Sequence, residues 1–506
     1  MSQRGEHLLG LDMGTGSTKG VLTDTEGRIV AQASREHRMS LPRPGWAEMD
    51  AERDWWDDLV AVCRELVVAS GDVPIAAVTV SGLGPCLLVC DADVKPLRPG
   101  ILYGVDMRAT AEIAALDERF GRDEILRRGG KHLSSQAVGP KLQWVRDHEP
   151  DVWARTRRWY SSHSFVVARL TGEYVLDHHT ASQCDPLYDL AANDWNREWA
   201  EEVAPGLELP RLAWSGEVVG AVTGAAADAT GLAPGTPVCA GTVDAWAEAF
   251  SAGARKPGEL MLMYGSTVFF VQLLAEMAAH GGLWTTAGVA RDTYTVAAGM
   301  ATSGSLTSWF QDLTGGVPFG TLVEEASKVP PGADGLLVLL YFAGERSPIF
   351  DPRARGVVAG LTLRHGRGHL FRAVYEGIGF GIRQILDVMA DAAGAPSRIL
   401  AVGGGTQGGL WTQIVSDITD RPQVVPTETI GASYGDALLA GIAVGLVPED
   451  ADWSTVDVEV TPDARNKGLY DELYGAYCEL YPATRDQVHT LAAVQERAGV
   501  DALSPT

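Results

Sequence analysis

Apolar residues open the chain in a short block, Leu8-Leu9-Gly10-Leu11-Asp12-Met13-Gly14, which breaks at a run of small residues and resumes as GVLTD. A Thr25-Glu26-Gly27 turn then leads to IVAQASREH, so the first 37 residues predict a strand meander with a loop after its first strand. Asp50 stands where it can cap a helix, because Trp55, Trp56, Leu59, Val60, Cys63, Leu66 and Val67 follow at helical spacing. IAAVTVSG, residues 75–82, reads as a buried strand. A related order returns later: GELMLMYGSTVFFVQLL predicts strand, Gly-Ser-Thr turn and strand, and TYTVAAG predicts a third strand. Beyond it come a helix over His369–Ala392, the strand RILAV, and helices over Leu410–Thr419 and Ala432–Val444. Both halves thus begin with a hairpin carrying a small-residue loop, and no short repeat suggests a solenoid or propeller.

A chain of 506 residues, 46% apolar, is too long for one compact core and suits two domains. The segment Gly253–Gly258, GARKPG, interrupts two apolar runs and sets the expected boundary, giving domains 1–253 and 254–506. The net charge of −24 argues against nucleic acid and against an anionic membrane, since both are bound through clustered Lys and Arg. It leaves a small phosphate site open, because backbone N–H groups and a metal can build one. The six cysteines, Cys63, Cys86, Cys90, Cys184, Cys239 and Cys478, form no CxxC pair and read as buried thiols. With no apolar h-region at the N-terminus, the expected location is the cytoplasm.

The first loop, Gly14-Thr15-Gly16-Ser17, allows backbone N–H groups to approach phosphate oxygens, and Asp12 beside it could hold Mg²⁺. No GxxxxGK[ST] occurs, so it is not a Walker A loop. Gly265-Ser266-Thr267 occupies the matching hairpin of the second half and could grip the same phosphates. Gly404-Gly405-Thr406-Gln407, after the strand RILAV, could support an adenine. Taken with Gly403 and Gly408 this run also satisfies GxGxxG, and Glu428 lies about where a dinucleotide fingerprint wants its acid, which keeps a dehydrogenase open. Asp244, after TPVCAG, could be a helix N-cap or a general base for a hydroxyl proton. Asp106 with Arg108, and Glu345 with Arg346, read as ion pairs. His178-His179 reads as loop surface.

Together these segments resemble the FGGY family of carbohydrate kinases, in its xylulose-kinase-like branch. The resemblance runs through LGLDMGTGSTKGVL, RPGWAEMDAERDWW, RPGILYGVDMRA, GPKLQWVRDHEP, AGTVDAWAEAFSAG, MLMYGST, FAGERSPIFDPRARGVVAGLT, YEGIGFGIRQILD and GASYGDALLAG, in order. It implies an α/β fold of two ribonuclease-H-like domains, as in actin, hexokinase and heat-shock chaperones, around an interdomain cleft. It implies ATP and Mg²⁺ as cofactors, and a small sugar or polyol as partner, with a homodimer allowed. In family terms Asp244 matches the catalytic base, Asp12 the metal-associated carboxylate, Gly14 to Ser17 and Gly265 to Thr267 the phosphate loops, and Gly404 to Gln407 the adenosine site. The sugar side departs from the pattern: Leu83-Gly84-Pro85-Cys86 replaces a Gln-Met-His-Gly run, Ala245 replaces Asn, and Tyr103-Gly104-Val105-Asp106 replaces Trp-Asn-Asp. Gly84, Pro85, Tyr103, Asp106 and Ala245 are therefore the expected substrate contacts. Gly84 and Ala245 are expected to make room for a sugar other than D-xylulose. A non-catalytic, chaperone-like ATP-binding protein is the alternative of another class.

Overall fold

The computed structural model describes residues 5–427 and 431–502. Its internal contacts divide the chain into two compact units, Met1–Pro257 with Leu273–Thr295 and Glu428–Ser454, and Gly258–Gln272 with Val296–Thr427 and Thr455–Thr506. Two segments from the second half of the chain thus pack with the first unit.

The sheet of the first unit runs Val218–Ala221, Pro237–Cys239, Ile75–Gly82, His7–Met13, Ser17–Thr23, Ile29–Glu36, with Thr242–Val243 also pairing Ile75–Gly82. The meander read from the sequence forms its antiparallel side. His7–Met13 then pairs parallel with Ile75–Gly82, and after its first residue it is buried throughout, as a central strand covered on both faces must be. One face meets the helix Asp58–Ser70, through Leu59, Val62 and Leu66. Asp50 does cap the turn leading into that helix, accepting from the amides of Glu52 and Arg53. The other face meets Ala432–Ala443, whose Ala437, Leu438 and Leu439 pack with Leu8, Phe250 and Val447.

Register then sets the chemistry. Asp12 stands opposite Lys19 on one side and Ser81 on the other, and Ser81 stands opposite Thr242. Four residues far apart in sequence are thereby placed in one row across the sheet, two positions before Asp244.

The second unit repeats this plan. Its sheet includes, in order, Tyr294–Gly299, Val268–Leu274, Glu259–Tyr264, Arg398–Val402, Gln423–Pro426 and Val456–Val460. The hairpin strand Glu259–Tyr264 pairs antiparallel with Val268–Leu274 and parallel with Arg398–Val402. The long helix spans Arg367–Ala393, starting slightly before the predicted His369, and Leu410–Thr419 forms as predicted. All six cysteines are free thiols, five of them buried and Cys478 half-buried. Among the described residues no helix is long and apolar enough to cross a membrane.

Helix Ala432–Ala443 can approach His7–Met13 this closely only because residue 10 has no side chain. A methyl group at Gly10 would lie 1.8 Å from the Ser433 carbonyl oxygen and 2.5 Å from the Ala437 amide nitrogen, both backbone atoms. Gly10→Ala is therefore expected to force the helix off the sheet, destabilise the first unit by about 3 kcal/mol, and lower its thermal unfolding midpoint.

Candidate active site

Asp244 is the first residue of the helix Asp244–Ser251, with Val243 at the cap position. It is therefore not an N-cap but a first-turn carboxylate, and its Oδ1 accepts from the Ala245 amide at 2.7 Å. Glu248 follows one turn later, on the same side of the helix. Behind the turn, Gly241 has φ +75°, and a methyl there would come within 1.9 Å of the Val80 carbonyl oxygen. Thr242 is held by its hydroxyl on Asp177 Oδ2 at 3.2 Å, and Asp177 also accepts from His163 Nε2 at 2.9 Å and the Thr180 amide at 3.0 Å. The strand Thr242–Val243 that leads into Asp244 is thus anchored by a buried polar network.

Asp12, 8% exposed, faces Ser81, whose hydroxyl lies 3.4 Å from Asp12 Oδ1 and 2.5 Å from Asp436 Oδ2. One hydroxyl carries one proton, so the shorter contact takes it. Asp436 is fully buried, accepts also from the Ser81 amide at 3.1 Å, and its Oδ1 meets no partner among the described residues. Four carboxyl groups consequently share one low-dielectric neighbourhood. Burial, against Lys19 and Ser81, pushes Asp12 up to about 6. Burial and then repulsion from Asp12 and Glu248 hold Asp244 well above the usual carboxylate range. Burial and Asp12 raise Glu248 to about 7, and burial likewise lifts Asp436 far above normal. Lys19 is the cation that opposes the rise at Asp12, Asp244 and Glu248.

The loop Gly14–Ser17 borders this group. It is closed by the Gly14 amide on the Ser17 carbonyl at 2.9 Å, and Thr15 Oγ1 meets the Tyr103 hydroxyl at 3.1 Å. Leu83-Gly84-Pro85 is fastened to the same corner, through the Leu83 amide on the Met13 carbonyl at 2.7 Å and the Ser162 hydroxyl on the Leu83 carbonyl at 2.7 Å. The structure therefore brings Asp12, the first loop, Gly84, Tyr103, Asp244 and Ala245 into one region of the first unit. The direction a Gly84 side chain would take is already filled, by Val243 Cγ2 at 3.1 Å and Ser161 Oγ at 3.4 Å, so Gly84 opens no room for a larger sugar. Asp106 lies deeper: its carboxylate is buried, gripped by Arg108 at 2.8 and 2.9 Å and by the Ala47 amide at 2.7 Å. It supports the Tyr103–Gly104 turn, which Gln136 holds through the Gly104 amide at 2.9 Å.

In the second unit, Gly265–Thr267 closes the same way, Gly265 N–H on the Thr267 carbonyl at 3.0 Å. Its Gly265 carbonyl accepts from the Gly304 amide at 3.1 Å and the Ser303 hydroxyl at 3.0 Å, and its Ser266 carbonyl from the Ser305 amide at 3.0 Å. Sequence reading missed this Ser303–Ser305 support, although a Ser-Gly-Ser run before a helical pattern is a start signal. Gly404-Gly405-Thr406 forms one tight turn, with Gln407 exposed beside it, and Gly405 packs on Trp411, which stacks on Tyr375 at 5.1 Å. Glu345 is buried, accepts from the Ala301 and Arg346 amides at 2.7 Å each, and is raised to about 7 by burial.

Some readings change. His178-His179 is not loop surface: the pair sits in a short helix, and His179 is fully buried on the Ala287 carbonyl at 2.8 Å with Gln183 at 2.9 Å, because a packed neighbourhood including Trp246 covers it. Glu428 lies outside the described residues. The dinucleotide reading of Gly403–Gly408 also fails on topology, since Arg398–Val402 adjoins an antiparallel hairpin strand and Gln423–Pro426 pairs antiparallel with Val456–Val460. Glu248 and Asp436 were not foreseen as members of the site. Glu248 carried a readable signal, one helical turn after Asp244.

The paired sheets define a two-domain α/β protein of the actin and hexokinase type, with carboxylates gathered beside a hairpin loop. The N-terminal domain of the FGGY family of carbohydrate kinases matches residues 7–251 and its C-terminal domain residues 260–444, and the chain belongs to this family, whose members are enzymes that phosphorylate a sugar or polyol hydroxyl. A glycerol kinase of Nocardia farcinica is 32% identical over 472 residues, 89% of this chain and 91% of that protein. A xylulose kinase of Lactococcus lactis is 27% identical over 502 residues, 96% of this chain and 98% of that protein. The crystal structure of a xylulose kinase from Rhodospirillum rubrum, 32% identical, superposes with a TM-score of 0.89 over 96% of this chain and all, 100%, of that one.

A raised carboxyl pKa has a definite sign in stability. Glu248 is protonated in folded and unfolded chains at low pH, and between its ordinary value of 4.5 and about 7 the folded state alone keeps the proton. Above that range its charge opposes folding. Glu248→Gln should therefore leave the unfolding temperature unchanged at about pH 4 and raise it at about pH 8, as differential scanning calorimetry of the two proteins will measure.

Proposed function

We propose that the chain transfers the terminal phosphoryl group of ATP to a hydroxyl of a small sugar or polyol, with Asp244 as the general base. The observation that carries this reading is the placement of Asp244 beside Asp12 and the Gly14–Ser17 loop, in surroundings that raise its proton affinity far above that of an ordinary aspartate. A carboxylate so poised takes a hydroxyl proton readily, provided the substrate oxygen sits within hydrogen-bond reach. As that oxygen attacks the terminal phosphorus, the bond to the ADP oxygen breaks and the proton passes to Asp244. Gly14, Thr15, Gly16 and Ser17 would grip the phosphates with backbone N–H groups, Gly265, Ser266 and Thr267 would serve the same chemistry in the second unit, and Gly404 to Gln407 would carry the adenosine. Lys19, missed in the sequence, would add a positive charge to the phosphate side.

Asp12 fits a magnesium ion. It is a hard oxygen donor in a neighbourhood short of cations, and Mg²⁺ commonly takes one or two carboxylates, with phosphate oxygens and waters completing its shell. Among the described residues no group of three or more His, Cys, Asp or Glu could hold a metal by itself, so the remaining ligands would come from phosphate and water. When bound, the ion would neutralise charge developing on the phosphoryl oxygens.

For the acceptor, the relatives named glycerol kinase and xylulose kinase support a small polyol or ketose. The residues facing it are Gly84, Pro85, Tyr103 and Ala245, with Asp106 acting from behind through the Tyr103–Gly104 turn. They offer few of the hydrogen-bonding side chains that select D-xylulose, and the acceptor is accordingly another compound of this class. In this reading residues 1–253 carry the acceptor, the first loop and Asp244, residues 254–506 carry the ATP side and also return Asp436 to the first unit, and the reaction is a cytoplasmic one.

Asp244→Asn should lower kcat by about a thousandfold while MgATP binding, measured by calorimetry, stays close to wild type. An Asp244→Asn enzyme of wild-type rate would remove the assignment of the base. In a coupled assay of ADP production over pentuloses, hexuloses, pentitols, tetritols and sugar acids, one compound is expected to exceed D-xylulose in kcat/KM by about tenfold or more.

A further inference from the structure

We propose that His37 is a positioning residue that aims the backbone N–H groups of the first loop at a phosphate, an inference that rests on the reading of Gly14–Ser17 as a phosphate loop. His37 follows the strand Ile29–Glu36 directly, and its side chain is 4% exposed. Its Nε2 lies 2.8 Å from the Gly14 carbonyl oxygen and its Nδ1 lies 2.9 Å from Asp58 Oδ2, on the first residue of the helix Asp58–Ser70. Its own backbone amide donates to the Gly16 carbonyl at 3.1 Å.

A carbonyl oxygen only accepts, and an ionised carboxylate only accepts. The ring nitrogen facing Gly14 must therefore be the donor there, while the other faces Asp58, and the ring bridges helix and loop. The consequence for the loop follows from peptide geometry. In a planar trans peptide the C=O and the next N–H point in opposite directions. Holding the Gly14 carbonyl toward His37 turns the Thr15 N–H away from it, and holding the Gly16 carbonyl turns the Ser17 N–H away likewise. Among the described residues no acceptor meets the Thr15 N–H. The loop thus keeps its carbonyls behind and presents donors in front, the polarity an anion requires.

The second unit reaches the same polarity by other means. There the Gly265 and Ser266 carbonyls are held from behind by Ser303, Gly304 and Ser305, at the start of the helix Gly304–Leu313. Two loops of like shape, each with its carbonyls fastened on one side, point to a shared requirement rather than to packing alone. In the first unit a single side chain, with its Asp58 partner, meets it for Gly14.

The test uses the full chain and calorimetric titration with MgATP. His37→Ala is expected to weaken MgATP binding by about tenfold, the upper scale of one lost hydrogen bond. His37→Gln can still donate to the Gly14 carbonyl but cannot bridge to Asp58, and its loss should be smaller. Added imidazole should restore binding to the alanine variant, whereas N-methylimidazole, which fills the same space with one fewer N–H, should not. That contrast separates a hydrogen-bonded clamp from simple packing. If His37→Ala does not fold, His37→Gln and Asp58→Ala carry the test, each with a measurable loss expected. Wild-type affinity in the folded variants, or equal rescue by both imidazoles, would overturn the clamp alone. Failure of the wild-type chain to bind MgATP would overturn the phosphate-loop reading and the clamp with it.

Discussion

Asp12, Asp244, Glu248 and Asp436 crowd together in the first unit, and burial together with mutual repulsion makes charge on them expensive. A fold tolerates such a group when something else gains from it. Lys19 relieves three of the four in part, and the Ser81 hydroxyl and amide relieve Asp436. What remains is a site with high proton affinity and an unmet demand for cations, next to a loop whose backbone offers donors. Under the proposed function, a base that strips a hydroxyl and an ion that accompanies phosphate would both draw on that imbalance. The anchoring of Thr242 through Asp177 and His163 shows how much structure is committed to holding Asp244 in its place.

Much of the fold could be read from the chain before any coordinates. Apolar runs ending in small residues marked both hairpins, helical spacing marked Asp58–Ser70 and Leu410–Thr419, and Asp50 announced a helix start that it does cap. Local signals of this kind survive because each depends on residues within a turn or a strand. The row Lys19, Asp12, Ser81, Thr242 could not be read, since parallel pairing joins segments separated by long insertions and leaves no local mark. The same holds for Asp436, which arrives from the far end of the chain on a helix packed against Gly10.

The candidate site was legible where backbone chemistry dominates and opaque where side chains meet across distance. Gly14–Ser17 and Gly265–Thr267 were evident from their small residues. Their supports, His37 in one unit and Ser303–Ser305 in the other, were not, because a histidine after a strand and a serine before a helix are ordinary. On the acceptor side, the absence of polar side chains was visible, but its meaning changed with the structure: Gly84 is filled by Val243 and leaves no space, and Asp106 is locked on Arg108. Of the proposed acceptor contacts this leaves Tyr103 and Ala245, beside the turn that Gln136 holds.

The most direct test is ³¹P nuclear magnetic resonance of the wild-type enzyme with ATP, Mg²⁺ and each candidate polyol or ketose in turn. One acceptor should yield a new phosphomonoester signal that grows in step with ADP, mole for mole. ADP accompanied only by inorganic phosphate, or no consumption of ATP with any acceptor, would contradict the assignment of phosphoryl transfer to this site.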